Sequence, residues 1–381
     1  MEYAEGLRIR NVNASYYFLQ SIPGIGNVSI RRLLNEFSSV LEACQATEQE
    51  LSGILNKTQI QNFLNQREKL HPLLQLQKLE QEGTQYYSIE DVMYPERLRK
   101  IPDAPYGIFV KGTLPSNEKE TAAIVGTRNH SGYGESMAKE YGKILALCDI
   151  GVVSGMARGI DGIAQWSVLE HGGDTYGVLG CGTDICYPPE NRPLFDRIPG
   201  HGALISEYLP KTQPKAGLFP MRNRIISGLS DIVLVIEARE KSGTLITVDM
   251  ALEQGKEVYA LPGRVTDPLS GGCNRLIMQG ANILPDPDTF YQQLQEQLGR
   301  ETLEKLNARE EKLTPIEQAV YQVLDVNPLS ADEIYLRVCR QHEKEQIKIC
   351  FQIQDISVCL ITLSMKKLVQ QVNGTMFMKS R

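Results

Sequence analysis

Six short apolar runs punctuate residues 121–284: AAIVG, GVVSG, TYGVLG, ALISEY, DIVLVIEA and EVYALPG. Between several of them lie amphipathic stretches, at 132–147, 160–171 and 243–254, whose apolar residues recur at helical spacing. Strands alternating with helices predict an α/β fold, a doubly wound and mostly parallel sheet with helices on both faces. The near-continuous apolar character of DIVLVIEA predicts a central strand covered on both sides.

The flanks follow other periods. Residues 1–75 read as a helical domain. In FLQSIPGIGNVSIRRLLNEF, Ile22, Ile25 and Val28 surround the turn Pro23-Gly24-Ile25-Gly26, and Ile30, Leu33, Leu34 and Phe37 then share one helical face. A Gly-x-Gly turn opening a helix is similar to a helix-hairpin-helix or SAM-like unit, whose backbone N–H groups hold a phosphate. The plainer alternative is a tight turn inside a small bundle. Residues 76–118 read as a connector broken by Pro95, Pro102 and Pro105, with YGIFVKG as an edge strand. The core domain is expected over 76–290 and a polar, charged linker with some helix over 291–312. Residues 313–381 predict a compact unit: a helix capped by Thr314 with Pro315 at its first position, a second capped by Ser330, a third in DISVCLITLSMKKLVQQ, and a hairpin turned at Asn373-Gly374. That order is the winged-helix arrangement. Only Lys366 and Lys367 bring basic charge near the end of its third helix, so a protein contact fits as well as duplex DNA.

Composition narrows the function. The chain of 381 residues is 42% hydrophobic and 23% charged, ordinary globular proportions. No apolar run approaches the roughly 20 residues that span a bilayer, and the N-terminus lacks the basic start and apolar stretch of a secretory signal. The eight cysteines are scattered, which predicts buried thiols in a reducing cytoplasm. None of the five histidines has metal-ligand spacing with another or with a cysteine, so no metal site is expected. Net charge is −6, so any polyanion must be met by a local patch. Residues 121–284 hold 15 Lys/Arg against 17 Asp/Glu, yet Arg128, Arg158, Arg222, Arg224 and Lys241 all fall near predicted strand ends.

Ligands of an open parallel sheet gather beyond the carboxyl ends of its strands, and the candidate chemistry sits there. The turns supply Gly126, Thr127 and Arg128; Ser154, Gly155, Arg158 and Gly159; Gly180 and Gly182; Arg222, Asn223 and Arg224; Lys241, Ser242, Gly243 and Thr244; and Gly263, Arg264, Gly271, Gly272 and Asn274. Glycines let backbone N–H groups approach a ligand, the helix starts near 160 and 244 favour anions, and arginines match phosphate oxygens with a planar fork. Two apart, Arg222 and Arg224 point opposite ways if extended, one toward the ligand and one into structure. Neither the dinucleotide fingerprint G-x-G-x-x-G nor the P-loop is complete, so no cofactor is expected. Ser154 does not sit in G-x-S-x-G, and capping or pairing with a motif arginine suits Asp161, Asp184, Glu207 and Glu237 better than acid–base work. Tyr133, Tyr187 and Phe219 lie in the motif loops as candidate base-stacking platforms, with packing at the sheet edge the alternative for each. Trp166 reads as core.

In this order, VGTRNHSGYG, VVSGMARGIDGIA, GVLGCGTDICYPPEN, ISEY, FPMRNRIISGLSDIVLVIEA, SGTLIT, VYALPG and GCNRLIMQGA resemble the DNA-processing protein A family, also called DprA or Smf. The resemblance covers roughly residues 76–284, and the helical N-terminal domain and winged helix agree with it. It implies an extended Rossmann-like core without an established nucleotide cofactor. It further implies a non-enzymatic protein that binds incoming single-stranded DNA in natural transformation, helps load the recombinase RecA, and forms a homodimer. On this reading Arg128 is the main single-strand contact, with the SGMARGID turn and Arg158 beside it. Some members carry a basic residue after the Tyr-Pro pair, where this chain has Pro189; Asn191 or Arg192 is the expected compensation. The rival from another class is a nucleotide-processing enzyme that hydrolyses nucleoside monophosphates. Its signature P-G-G-x-G-T-x-x-E is not matched by LPGRVTDPLSGGCN, which lacks the glutamate.

Overall fold

A computed structural model of the chain describes residues 2–298, 313–324, 328–345, 353–365, 368–372 and 376–379. The chain divides into two compact units, Met1–Gly299 and Arg300–Arg381. The expected apolar runs of the first unit form β3 (Thr121–Val125), β4 (Gly151–Ser154), β5 (Thr175–Val178), β6 (Gly202–Ser206), β7 (Ile232–Val235) and β8 (Glu257–Ala260). They join β1 (Gln85–Ser88), β2 (Gly107–Gly112) and β9 (Asn282–Ile283) in one nine-stranded sheet of order β1-β2-β6-β5-β4-β3-β7-β8-β9. From β6 to β9 all neighbours are parallel, while β2 runs antiparallel to both β1 and β6. YGIFVKG is therefore not the edge. Its strand β2 is paired on both sides, and the shorter β1 takes the outer place.

The chain winds outward from β3 through β4, β5 and β6, then returns to the far side of β3 for β7, β8 and β9. The gap beyond β3 and β7 is thus the topological switch point, where loops leave in opposite directions and open a crevice. DIVLVIEA behaves as a central strand. Val233, Leu234 and Val235 are fully buried, with Val233 and Val235 in the core on one face and Leu234 in that on the other. One face carries helices Gly132–Leu147 and Ile160–Glu170, and the other carries Leu218–Gly228, Gly243–Glu253 and Gly271–Met278. Trimming a side chain such as Leu234 to alanine between these layers costs about 2–5 kcal/mol.

Two expected boundaries shift for packing reasons. The one at residue 75 falls inside the helix Pro72–Gln81, and the N-terminal helices share their core with Tyr86 of β1 and Phe109 of β2. The polar stretch after 285 begins as a helix, Pro287–Leu298, because Phe290 and Leu294 recur at helical spacing and bury beside Tyr141. Residues 299–312 of the expected linker lie outside the described residues. In the Pro23–Gly26 turn, Gly24 adopts φ +83°, and Asn27 at the head of the next helix donates to Glu207 Oε1 at 2.7 Å. A carboxylate therefore meets that helix start, and the tight-turn alternative fits the hairpin.

The second unit has helices Pro315–Val323, Ala331–Glu345 and Ile353–Met365 and a sheet of β10 (Leu329–Ser330), β12 (Met376–Lys379) and β11 (Val369–Val372), the winged-helix order. Thr314 caps its helix in a reciprocal box with Glu317, and Ser330 bonds Glu333 in the same way. Val320, Ile334, Val338, Ile356, Leu360 and Leu363 form its core. Lys366, Lys367 and the Asn373-Gly374 turn lie outside the described residues. Among the described residues the cysteines are free thiols, and no helix is long and apolar enough to cross a membrane.

Candidate functional site

At the switch point the loops after β3 and β7 and the helix Leu218–Gly228 enclose a cleft of about 630 Å³. Of the residues singled out in the sequence, Gly126, Thr127, Arg128, Arg222, Asn223, Lys241, Ser242, Gly243 and Thr244 all line it. Tyr187 and Phe219 form one wall, their rings 5.3 Å apart and inclined by 33°. The Arg128 guanidinium lies over Phe219 at 5.9 Å and that of Arg222 at 6.0 Å. Arg128 and Lys241 are exposed and make no ion pair among the described residues. Ser242 caps the helix Gly243–Glu253 by accepting from Thr244 N–H at 3.2 Å, so the positive end of that helix faces the cleft.

Beneath Arg128 the backbone is held from two sides. Thr127 N–H donates to the Glu237 carbonyl at 2.8 Å, and Ser131 N–H donates to the Glu237 carboxylate at 3.0 Å. From the head of the helix Ile160–Glu170, Ile160 N–H donates to Thr127 O at 3.2 Å. Gly159 fits against this loop because it has no side chain: a Cβ there would lie 2.4 Å from Thr127 O, and its φ is +75°. Asn191 supports the same turn from behind, its amide donating to Met156 O at 2.8 Å and Ala157 O at 3.1 Å.

Segment 218–228 is not extended. It is a helix that keeps its proline at the third position, in the first turn where a missing N–H costs nothing. Both arginines are buried on it. Arg222 donates to Gly155 O at 2.7 Å and also to Val178 O, while Asp161 accepts from Gly155 N–H at 3.1 Å. Arginine and aspartate thus grip opposite sides of one peptide stretch, and a Cβ on Gly155 would lie 2.6 Å from one and 2.7 Å from the other. Burial lowers the Arg222 guanidinium to about 10 against the pull of Asp161, and burial raises the Asp161 carboxyl against the pull of Arg222. Arg222 remains charged at neutral pH, but its field is answered from below.

The other candidates are placed elsewhere. Ser154 is buried and donates to Ile124 O at 2.6 Å, a strand-to-strand tie. Arg158 is not part of the cleft lining and pairs with Glu190, both more than half exposed. Gly159 and Asn191 border a neighbouring cavity of about 350 Å³ that also includes half-buried Trp166. Arg224 is 1% exposed and bound to Glu207 at 2.7 Å and to Asp103 at 2.9 Å, with no surface left for a ligand. Glu237, expected to cap or to pair with an arginine, anchors the Arg128 loop through Ser131, the N-cap of the helix Gly132–Leu147. The sequence reading missed the loop after β6, where Pro214 and Ala216 line the cleft and Lys211 and Lys215 are exposed. The spacing of prolines and lysines in LPKTQPKAG was the available signal. No cluster of metal-ligating side chains occurs among the described residues.

Chemically the cleft offers a free guanidinium, a free ammonium and a helix start at an opening walled by aromatic rings. Known proteins share this frame. Residues 85–295 match the family model of DNA recombination-mediator protein A. The DNA processing protein DprA of Bacillus subtilis is 40% identical over 235 residues, 61% of this chain and 79% of that one. Protein Smf of Synechocystis is 36% identical over 282 residues, 72% of this chain and 71% of that one. Among solved structures, DNA processing protein A from Streptococcus pneumoniae aligns with a TM-score of 0.62 at 34% identity, covering 72% of this chain and 95% of the other. DNA processing protein A from Helicobacter pylori, described for its unique single-stranded DNA binding mode, aligns with a TM-score of 0.51 at 29% identity over 56% of this chain and 97% of the other. With over half its length matched by the family model and relatives at 36–40% identity, the chain belongs to the DNA recombination-mediator protein A family, DprA or Smf.

Proposed function

We propose that the switch-point cleft binds the sugar–phosphate backbone of single-stranded DNA and that the protein acts by binding rather than by catalysis. The observation that carries this is the meeting of Arg128, Lys241 and the Ser242–Thr244 helix start, the two cations without an ion-pair partner among the described residues, in a domain that is otherwise slightly acidic. Phosphates answer that charge, and the exposed edge of Tyr187 offers a base a sequence-tolerant stacking surface. The acids that a nucleotide hydrolase would call on are already engaged: Asp161 with Gly155, Glu207 with Arg224, Glu237 with Ser131. Asn191 and Gly159 act in this reading by fixing the turn, and Arg158 stands at the margin with its charge met by Glu190. Family membership supports a cytoplasmic role in transformation and recombination, in which a homodimer hands the strand to RecA.

The test is fluorescence anisotropy with matched single- and double-stranded oligonucleotides across a salt series, with and without excess nucleoside monophosphate. Single strands should bind more tightly, affinity should fall as salt rises through counterion release, and the monophosphate should neither compete strongly nor be hydrolysed. Arg128→Ala should weaken binding and reduce the salt slope by about 0.7. If that variant binds as the parent does at every salt concentration, the cleft is not the DNA site.

A further inference from the structure

The turn in LPGRV after β8 stands on the same edge of the sheet, one strand beyond the cleft, and the function above leaves it unused. It is firmly built. Asn274 clamps Gly263 through both of its peptide groups, accepting from Gly263 N–H at 3.2 Å and donating to Gly263 O at 3.0 Å. The Tyr133 hydroxyl donates to Pro262 O at 3.2 Å, fixing a ring that is 45% exposed beside the turn. Ring and turn enclose a cavity of about 690 Å³, within the range of small-ligand sites. Arg264 projects from the turn, exposed, with no side-chain hydrogen bond or ion pair among the described residues. The acid lining the cavity, Asp267, is engaged locally, accepting from Leu269 N–H at 2.9 Å. An unpaired guanidinium and an exposed aromatic face on a rigid turn repeat the components of the central cleft, Arg128 and Tyr187.

The two cavities share one wall. Thr127 and Arg128 line the central cleft and Ser131 lines the second, and Glu237 holds this loop at both of those ends. A strand seated on Arg128 therefore needs to pass only the crest of this loop to reach Arg264. We infer that the Tyr133–Arg264 cavity is a flanking subsite for the same single strand, with Arg264 meeting a phosphate and Tyr133 stacking a base beyond those held centrally. The inference rests on the single-strand reading of the cleft and extends it to a longer binding tract.

Oligothymidylates of about four and about twenty nucleotides separate the two sites, because only the longer one reaches past the central cleft. Arg264→Gln and Tyr133→Leu should each weaken binding of the longer strand roughly threefold or more while leaving the shorter one unchanged. Arg264→Gln should also lower the salt slope for the longer strand by about 0.7. Tyr133→Phe, which keeps the ring but loses its tie to Pro262 O, should bind the shorter strand as the parent does and the longer one more tightly than Tyr133→Leu. Parent-like binding of the longer strand by Arg264→Gln overturns the subsite, and so does an equal loss at both lengths. Arg128→Ala is read beside it. Parent-like binding there at both lengths overturns the single-strand reading itself, whereas a loss there with a silent Arg264→Gln overturns only the flanking site.

Discussion

Glu237 holds Arg128 without touching it. Its carbonyl accepts from Thr127 N–H at 2.8 Å and its carboxylate from Ser131 N–H at 3.0 Å, so the residue brackets the loop on which Arg128 stands. A buried carboxylate beside an anion site works against binding electrostatically, and its presence makes sense only if loop geometry contributes more. The two effects have opposite signs, which makes a test possible. Glu237→Ala leaves Ser131 N–H unpaired at a cost of about 1–3 kcal/mol, measurable by urea unfolding. Its single-strand affinity should fall although a negative charge has gone. Tighter binding than the parent would mean that the carboxylate acts only through its field.

Arg222 and Arg224 lie on one helix but serve different ends. Two residues apart at about 3.6 residues per turn, they face nearly opposite directions, one under the cleft and one toward Glu207 and Asp103. Arg224→Met takes the cation from Glu207, 11% exposed, and leaves it only the neutral Asn27 amide, a loss of about 3–5 kcal/mol of stability, and should not alter affinity per folded molecule. Arg222→Met should lower stability and also affinity, because Gly155 and the Phe219 wall beneath Arg128 lose their support. Urea unfolding and anisotropy on the folded fraction separate the two. A reversed pattern would exchange their roles.

That pair also marks how far the sequence can be read. The parallel sheet, its central strand and the glycine turns were legible because strand and helix periods are local and the switch-point rule places turns without coordinates. The opposed directions of Arg222 and Arg224 were expected from an extended chain and arise instead on a helix, where an offset of two gives the same result. What the residues could not announce was partnership over distance. Glu237 and Ser131 are 106 positions apart, and Glu190 is 32 positions from Arg158. In each pair the partner lies on another loop, so its identity is not written in the neighbouring residues. The helical domain shared its core with β1 and β2 for the same reason: Tyr86 and Phe109 bury among helices that precede them in the chain.

The pairing of Arg158 with Glu190 predicts a gain of function. Both side chains are more than half exposed, at 61% and 55%, so their contact contributes at most about 1 kcal/mol to folding. Glu190→Gln should leave the melting temperature unchanged, release Arg158 for a passing phosphate and steepen the salt slope by about 0.7. Adding Arg158→Ala to that variant should cancel the gain. A silent Glu190→Gln would place Arg158 off the path of the strand.

Tyr187 and Phe219 divide the aromatic work by exposure. Phe219 is half-buried beneath Arg128, where a cation–π contact of about 0.5–1 kcal/mol steadies the guanidinium. Tyr187 leans on Phe219 and keeps 40% of its surface open, so it is the ring a base can reach. Tyr187→Ala should weaken binding by about 1–3 kcal/mol, the scale of one base–aromatic stack, and Tyr187→Phe should bind as the parent does. An oligonucleotide lacking bases provides the second arm. The parent should bind it as weakly as Tyr187→Ala binds the intact strand, and the variant should lose little more on it. If Tyr187→Ala weakens both strands equally, the ring supports the loop rather than a base, and affinity in the cleft comes from phosphate contacts alone.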